Sequence, residues 1–391
     1  MTGRAALLLG MLLSAPGSLL GQSLFNAAGL GSPSEPLDGR TRALGGVGIG
    51  LRGPALLGSD PAASAYYTLP AGFLTAQPSW VEFERLDRAE QGTIRGTRFP
   101  ALGIAYPTVH SLVATLAFES FLDQRYEASD PSTITLDGTP VNVQDDFVSR
   151  GGVSQLRLGL ARRLGRRAAV GLSAARYTGS VTRRVQRTFH EGVDTTSVGA
   201  FQSGGFWGYS GASVTGGASV FLGNVAHLAG SLTWSGALDA TASDDSDGRS
   251  RSYDVPLQLR LGATAVLASG LSLSAGLARA DWSGVDGDLR AGASGGVVSS
   301  YGFGVELSRA SILGRSAPLR LGYRKTDLPF GLGGGKPTET AWTGGLGLNL
   351  SQVGDLVRAG VDLALERGER SDSALSERFW RSTLTVRVAG F

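Results

Sequence analysis

The 391-residue chain contains no cysteine, and of its 36 basic residues only Lys325 and Lys336 are lysines. The missing thiols exclude disulfide staples, thiolate zinc sites and a lipid-modified N-terminal cysteine. Beyond the N-terminus no stretch reaches the roughly 18 apolar residues that a membrane helix requires. Long amphipathic helices, the mark of a soluble α/β enzyme of this length, are missing too. The formal charge is only +3, and no block of like charge marks a nucleic-acid-binding arm. What is abundant is glycine: its 59 residues are about twice the usual share of roughly 7%.

Met1 to about Gly21 reads as a secretory signal. Arg4 supplies the positive start and Ala5 to Leu13 a short apolar core. Ser14-Ala15-Pro16-Gly17 then breaks the helix, and small residues allow cleavage near Gly17 or Gly21. A membrane anchor fits less well, because the apolar core is too short. The expected product is an exported protein, with residues 22–72 forming an N-terminal segment and 73–391 the main body.

From Phe73 the chain becomes a series of segments with period-two alternation. Leu257, Leu259 and Leu261 alternate with Gln258, Arg260 and Gly262. Leu319, Leu321 and Tyr323 alternate with Arg320, Gly322 and Arg324; Tyr301, Phe303, Val305 and Leu307 alternate with Gly302, Gly304 and Glu306. Such segments are strands with one greasy and one polar face. A soluble sandwich would alternate too, so the connections decide. Tight turns, as at Gly223-Asn224 and Ser269-Gly270, alternate with long polar loops such as Asp123 to Arg150 and Val181 to Gly204. Short turns on one side and long loops on the other are the habit of outer-membrane barrels, whose apolar residues face lipid. A closed barrel is also the only sheet that satisfies its backbone in hydrocarbon. The fold expected is all-β: a transmembrane antiparallel barrel of about fourteen strands with both ends on the periplasmic side. Trp80, Tyr106, Trp234, Trp282, Trp342 and Trp380 lie near strand ends and suit interfacial girdles. Phe391 matches the terminal aromatic of such barrels but is one residue out of phase with Leu384, Val386 and Val388. Either Gly390 makes a bulge or the aromatic is used differently.

Before the first strand lies a glycine- and alanine-rich stretch, Thr41-Arg42-Ala43-Leu44-Gly45-Gly46-Val47-Gly48-Ile49, followed by Asp60-Pro61-Ala62-Ala63. So much glycine makes a poor free-standing helix or strand, yet small residues let a backbone pack closely inside something else. The stretch therefore reads as a plug within the barrel. It resembles the N-terminal segment of the FadL-like outer-membrane superfamily, which carries an Arg-Ala-x-Gly-x-Gly-Gly-Ala run and then Asn-Pro-Ala. Asp60 stands where that family has Asn. The superfamily holds transporters of long-chain fatty acids and aromatic hydrocarbons, and the PorV-type barrels of secretion systems. The resemblance implies fourteen strands and an N-terminal hatch to which Gly45, Gly46, Asp60, Pro61 and Ala62 belong. Pro61 biases Asp60 toward an extended backbone, from which its carboxylate can accept hydrogen bonds from the hatch backbone or a lumenal arginine. A plug that never moves is the plainer alternative.

Inward positions carry Arg157, Arg260, Arg320 and Arg358, with Glu119, Glu306, Asp362 and Glu366 among the acids. Two readings stand: arginines that clamp a ligand carboxylate bidentately, or a structural network of lumenal ion pairs. Catalysis is not expected, because none of His110, His190 and His227 sits beside a nucleophile on neighbouring strands. Neither a metal nor a cofactor is called for. Asp239, Asp244, Asp245 and Asp247 lie in a Ser/Gly-rich loop, and Gly333-Gly334-Gly335-Lys336-Pro337-Thr338 is interrupted by proline where a phosphate loop would continue. The expected partners are outer-membrane lipids and a hydrophobic small molecule, fatty-acid-like or aromatic, taken up passively past the hatch. The rival reading is a non-transporting structural or secretion barrel that binds a protein on its loops.

Overall fold

A computed structural model of the protein describes residues 23–86, 90–136, 138–189, 201–289, 295–312, 314–333, 336–353 and 356–390. The signal at 1–21, His190 and Phe391 lie outside these residues. No described helix is long and apolar enough to cross a membrane.

The alternating segments form a closed antiparallel barrel of fourteen strands. They are β1 (Ala71–Arg85), β2 (Glu90–Pro107), β3 (Leu112–Asp123, continued as Tyr126–Leu136), β4 (Thr139–Leu164) and β5 (Ala168–Phe189). Next come β6 (Phe201–Leu222), β7 (Ala226–Ser235 with Ala237–Ala242), β8 (Arg251–Asp254 with Gln258–Ala268), β9 (Leu271–Asp281) and β10 (Val297–Leu307). β11 (Leu319–Asp327), β12 (Thr338–Val353), β13 (Leu356–Ser371) and β14 (Leu375–Ala389) complete the ring. Each strand pairs with the next in sequence, and β14 returns to β1 from Ala71↔Ala389 to Arg85↔Leu375. Joining the first strand to the last leaves the sheet without free edges, the condition for standing in lipid.

The faces fall as the alternation requires. Leu321 and Trp342 are 69% and 72% exposed on the outside, whereas Arg320, Arg324, Asp362 and Glu366 are buried inside. Trp80, Tyr106, Trp234 and Trp380 also face out. Trp282 does not: it is 3% exposed and meets Phe330 edge-on at 5.7 Å. It belongs to a short 3-10 helix, Trp282–Asp288, that folds inward at the long-loop end. No strand holds it on the outer face, so its apolar ring goes inside.

Two of the expected loops are strands as well. Tyr126–Leu136 pairs with Thr139–Ser149, and Val181–Phe189 pairs with both β4 and β6. These extensions reach past the greasy band, with Val141, Val143 and Val181 buried on one face and the other face meeting water. Ser129, Thr133, Asn142 and Gln144 then do as well as apolar residues, and the alternation that marks a lipid-facing strand fades.

Residues 23–70 lie in the lumen. They touch β5 and β6 through Pro61, β8 through Ile49, β10 and β11 through Gly45, and β12 through Ala43. A segment that meets strands all round a closed ring can only be inside it. Its local structure is short: Gly39–Ala43 is one helical turn begun by Asp38, whose carboxylate accepts the Thr41 N–H at 2.8 Å. The fit is backbone to backbone. A side chain on Gly45, at φ +72°, would meet the carbonyls of Phe303 and Tyr323 at 2.4 and 2.5 Å. The wall answers with its own glycine: a Cβ on Gly322 would come within 2.2 Å of the Gly45 nitrogen. Glycine on both surfaces is what lets segment and wall lie this close.

Candidate functional site in the lumen

Glycine contacts seat the N-terminal segment; charge fixes one side of the lumen. Along β10 to β14 the inward guanidinium and carboxylate groups interleave. Glu306 accepts Arg40 Nε at 3.0 Å and Arg320 Nε at 2.7 Å, and Arg320 Nη1 donates to Asp362 at 2.7 Å. Arg324 donates to Glu339 and Glu366, while Arg370 donates to Glu339 at 2.6 Å and Glu377 at 3.1 Å. Arg381 stands 3.5 Å from Glu366 and 3.7 Å from Glu339. The N-terminal segment is tied to the same network, with Ser23 Oγ and the Leu24 N–H donating to Glu377 at 2.8 and 2.7 Å. Buried charges of this kind persist only when each has its partner, because desolvating an ion alone is prohibitive.

The opposite side, along β3 to β9, is looser and more aromatic. A cavity of about 130 Å³ lies there. Phe121 and Tyr177 stack at 4.5 Å on one side of it, with Trp282, Val298 and Leu328 across from them. Polar groups reach it as well: Arg157 donates to Glu119 at 3.0 Å, Arg260 is 3.7 Å from Glu35, and Gln258, Arg279 and Asp327 also line it. Arg157 also bridges Ser173 and Thr215 on the neighbouring strands, each at 3.1 Å. So Arg157 and Arg260 line the cavity, each beside a carboxylate. Arg320 belongs to the network across the lumen, and Arg358 is exposed at the short-turn end.

Next to this cavity the wall parts. β2 pairs with β1 from Glu90 to Ala105, with a register shift at Phe99 and Pro100, but with β3 only from Ala101 to Pro107. Above that point Leu122 and Asp123 of β3 pair instead with Pro33 and Ser32 of the N-terminal segment. Two residues account for the split. Pro100 has no N–H to offer a ladder. Phe121 is a bulge, the β3–β4 register shifting between Ser120 and Leu122, and its carbonyl accepts the Ser34 N–H at 2.8 Å. Between the separated edges is a second cavity, of about 180 Å³, lined by Ser34, Thr97, Phe99, Ser120 and Leu122 together with the charged Arg98, Asp123 and Arg125. Ser34 borders both cavities, so Ser32–Glu35 is the partition between lumen and wall gap.

Below the partition, Gly58 and Ser59 line the first cavity, and Ser59 Oγ donates to the Gly48 carbonyl at 2.6 Å. Asp60 accepts the N–H groups of Gly50 at 2.9 Å and Ala63 at 3.2 Å, capping the 3-10 helix Pro61–Tyr66. Of the two partners open to it, it takes the backbone of the N-terminal segment. Burial raises the pKa of this carboxyl, which lies outside the spanning strands, against the opposing effect of those two N–H groups. Ala62 is fully buried against Ala161 and Ala169, and Gly46 lies beside the Arg324 stem. His227, buried at the short-turn end, contacts the Gly50 carbonyl through Nδ1 at 3.1 Å and stacks on Phe221.

Several residues of the site are invisible to the alternation reading. Glu339, Arg370 and Glu377 fall in stretches that read as loops, although parity carried onward from Glu366 and Arg381 would place Arg370 and Glu377 inside. Arg98 is another: its Nε donates to Gln77 at 2.5 Å, and among the described residues it has no carboxylate in ion-pair range. It looks across a small cavity at Arg42 and Arg381.

No family model matches the chain, and no curated protein matches it by sequence. Solved structures do. The Ralstonia pickettii toluene transporter TbuX aligns over 90% of this chain and 98% of its own, at 14% identity and a TM-score of 0.59. The monoaromatic hydrocarbon channel CymD aligns over 91% and 97%, at 14% identity and a TM-score of 0.56. A Pseudomonas aeruginosa FadL homologue aligns over 92% and 100%, at 11% identity and a TM-score of 0.64. At these identities the likeness is one of architecture, and it spans nearly the whole of each barrel. The chain has the FadL-like outer-membrane barrel fold.

Proposed function

We propose that the protein is an outer-membrane channel for a small hydrophobic molecule, aromatic in preference to fatty-acid-like, that leaves the lumen sideways. The observation that carries this reading is the wall gap beside an aromatic-lined cavity. Cavities on the order of 150 Å³ accommodate a single benzene ring, so the space between Phe121, Tyr177 and Trp282 has the volume for one ring. The similar structures include a toluene transporter and a monoaromatic hydrocarbon channel, which agrees with that size. An axial route would have to cross residues 36–66, seated backbone to backbone on the wall. The lateral route needs only Ser32–Glu35 to shift, after which an apolar solute passes between Phe99 and Leu122 into the bilayer. Movement is downhill, from loops to lipid. Residues 22–72 then act as a hatch whose lower part stays in place. A catalytic role has less support, since the buried His227 is engaged with a carbonyl and a phenyl ring.

The absence of native cysteine gives a clean test. Cysteines at Thr97 and Ser120, bridged by a short bis-maleimide, should close the gap and cut toluene uptake into proteoliposomes at least tenfold, with uncrosslinked double-cysteine protein as control. Unchanged uptake after verified crosslinking would rule out the lateral route. The second reading, a barrel that holds a protein partner on its loops, is favoured by the ion-pair network that fills the β10–β14 side. A partner retained through purification, together with no toluene uptake by the unmodified protein, would favour it.

A further inference from the structure

The outer surface carries a feature that transport does not use. One residue from each of six adjacent strands falls on a single row: Arg95, Trp80, Trp380, Arg367, Trp342 and Tyr323, joined by direct cross-strand pairing. Arg95 lies over the Trp80 ring at 4.0 Å and Arg367 over the Trp380 ring at 4.8 Å. Tyr323 and Trp342 sit 5.0 Å apart. About nine residues of tilted strand separate Trp80 from Ala71 at the short-turn end, roughly 23 Å of height, close to the height of the apolar band. The row therefore stands at the loop-side interface. Just beneath it is a groove of about 730 Å³ on the lipid-facing wall, open because Ala263, Ala275 and Gly344 stand among Phe303, Leu321 and Leu365.

We infer that this face binds a diphosphorylated glycolipid of the loop-side leaflet, its phosphates on Arg95 and Arg367 and an acyl chain in the groove. A guanidinium laid on an indole is held flat while its N–H edge stays free for bidentate contact with phosphate. Among the described residues neither Arg95 nor Arg367 is paired with a carboxylate. The acids nearest in register, Glu82 and Glu369, are one row higher and flank Arg378. Three strand spacings separate Arg95 from Arg367 along the row, roughly 14 Å. That span suits two phosphates at opposite ends of a disaccharide and exceeds what a single headgroup phosphate can bridge. The inference requires a bilayer around the barrel but is independent of what passes through it.

Native mass spectrometry of the full barrel in detergent, with diphosphoryl and monophosphoryl lipid A as probes, tests it. The diphosphoryl lipid should stay bound, and the Arg95→Gln/Arg367→Gln pair should lower its retention at least tenfold. Gly344→Leu should lower retention of both probes without changing charge, since a Cβ there meets only ordinary contacts, Leu321 at 3.5 Å and the Arg320 carbonyl at 3.8 Å. Heat-modifiable gel mobility verifies that each variant is folded. Equal retention by wild type and the double variant overturns the proposal. So does wild-type protein that holds both lipids alike while Arg95→Gln changes neither, or that prefers cardiolipin to the diphosphoryl lipid.

Discussion

Leu259 and Arg260 are neighbours in sequence and opposites in environment. Leu259 is 43% exposed on the outer wall; Arg260 turns inward to Glu35. Parity alone decides which of them meets hydrocarbon, and one step of register would exchange them. Leu259→Arg should therefore cost about 2–4 kcal/mol if the site is near mid-bilayer, read as the shift in folding free energy into lipid vesicles. An unchanged free energy would mean the faces are reversed. At this scale the sequence is most informative where the chemistry is one-sided. Leu319, Leu321 and Tyr323 can be placed outside because lipid tolerates nothing else. The destinations of inward charges are not readable, because any lumenal acid satisfies an arginine. Arg320 could be expected inside; that it bridges Glu306 and Asp362 depends on which strands the closed ring brings opposite one another.

Strand number and turn alternation are legible for the same reason, and the departures are instructive. The β3–β4 hairpin from Tyr126 to Ser149 buries Val141 and Val143 on one face but carries Ser129, Thr133, Asn142 and Asp146 on the other, so no greasy outer stripe marks it although it is fully laddered. The wall gap has only faint markers, Pro100 and the extra residue at Phe121, and neither says that Ser32 and Pro33 will occupy the free edge of β3. Long-range pairing of that kind is a property of the assembled barrel. The N-terminal segment is the better-marked element, since its glycines have few other uses. Gly45 is its tightest point: φ is +72° and two wall carbonyls stand where a Cβ would go. Gly45→Val adds left-handed strain of order 1–3 kcal/mol to that collision. The stretch 44–50 should then lose its seat on β10 and β11, and single-channel conductance in planar bilayers should rise several-fold. Conductance equal to wild type would show that this stretch is not the barrier to ions.

As a whole the lumen is divided, with a locked side and a permissive one. On the locked side Glu339 is the common partner: Arg324 from β11 and Arg370 from β13 donate to it, and Arg381 from β14 lies 3.7 Å away. Glu366 accepts from Arg324, and Glu377 accepts from Arg370 and ties in the N-terminal segment through Ser23 and Leu24. Four strands and the N-terminal segment are thus fastened at one place, leaving opening to the β2–β3 side, where the ladder is already interrupted. Removing one charge from such a cluster leaves guanidinium groups buried without compensation, which typically costs about 3–5 kcal/mol. Glu339→Gln keeps the shape and removes only the charge, so a loss of that size is expected in urea unfolding from vesicles. The local consequence is sharper. Amide exchange should quicken at residues 23–27 and along β12 to β14, while β4 to β6 stay protected. If the loss were under about 1 kcal/mol, or exchange rose evenly round the ring, the network would not be a fixed side for the proposed shift of Ser32–Glu35.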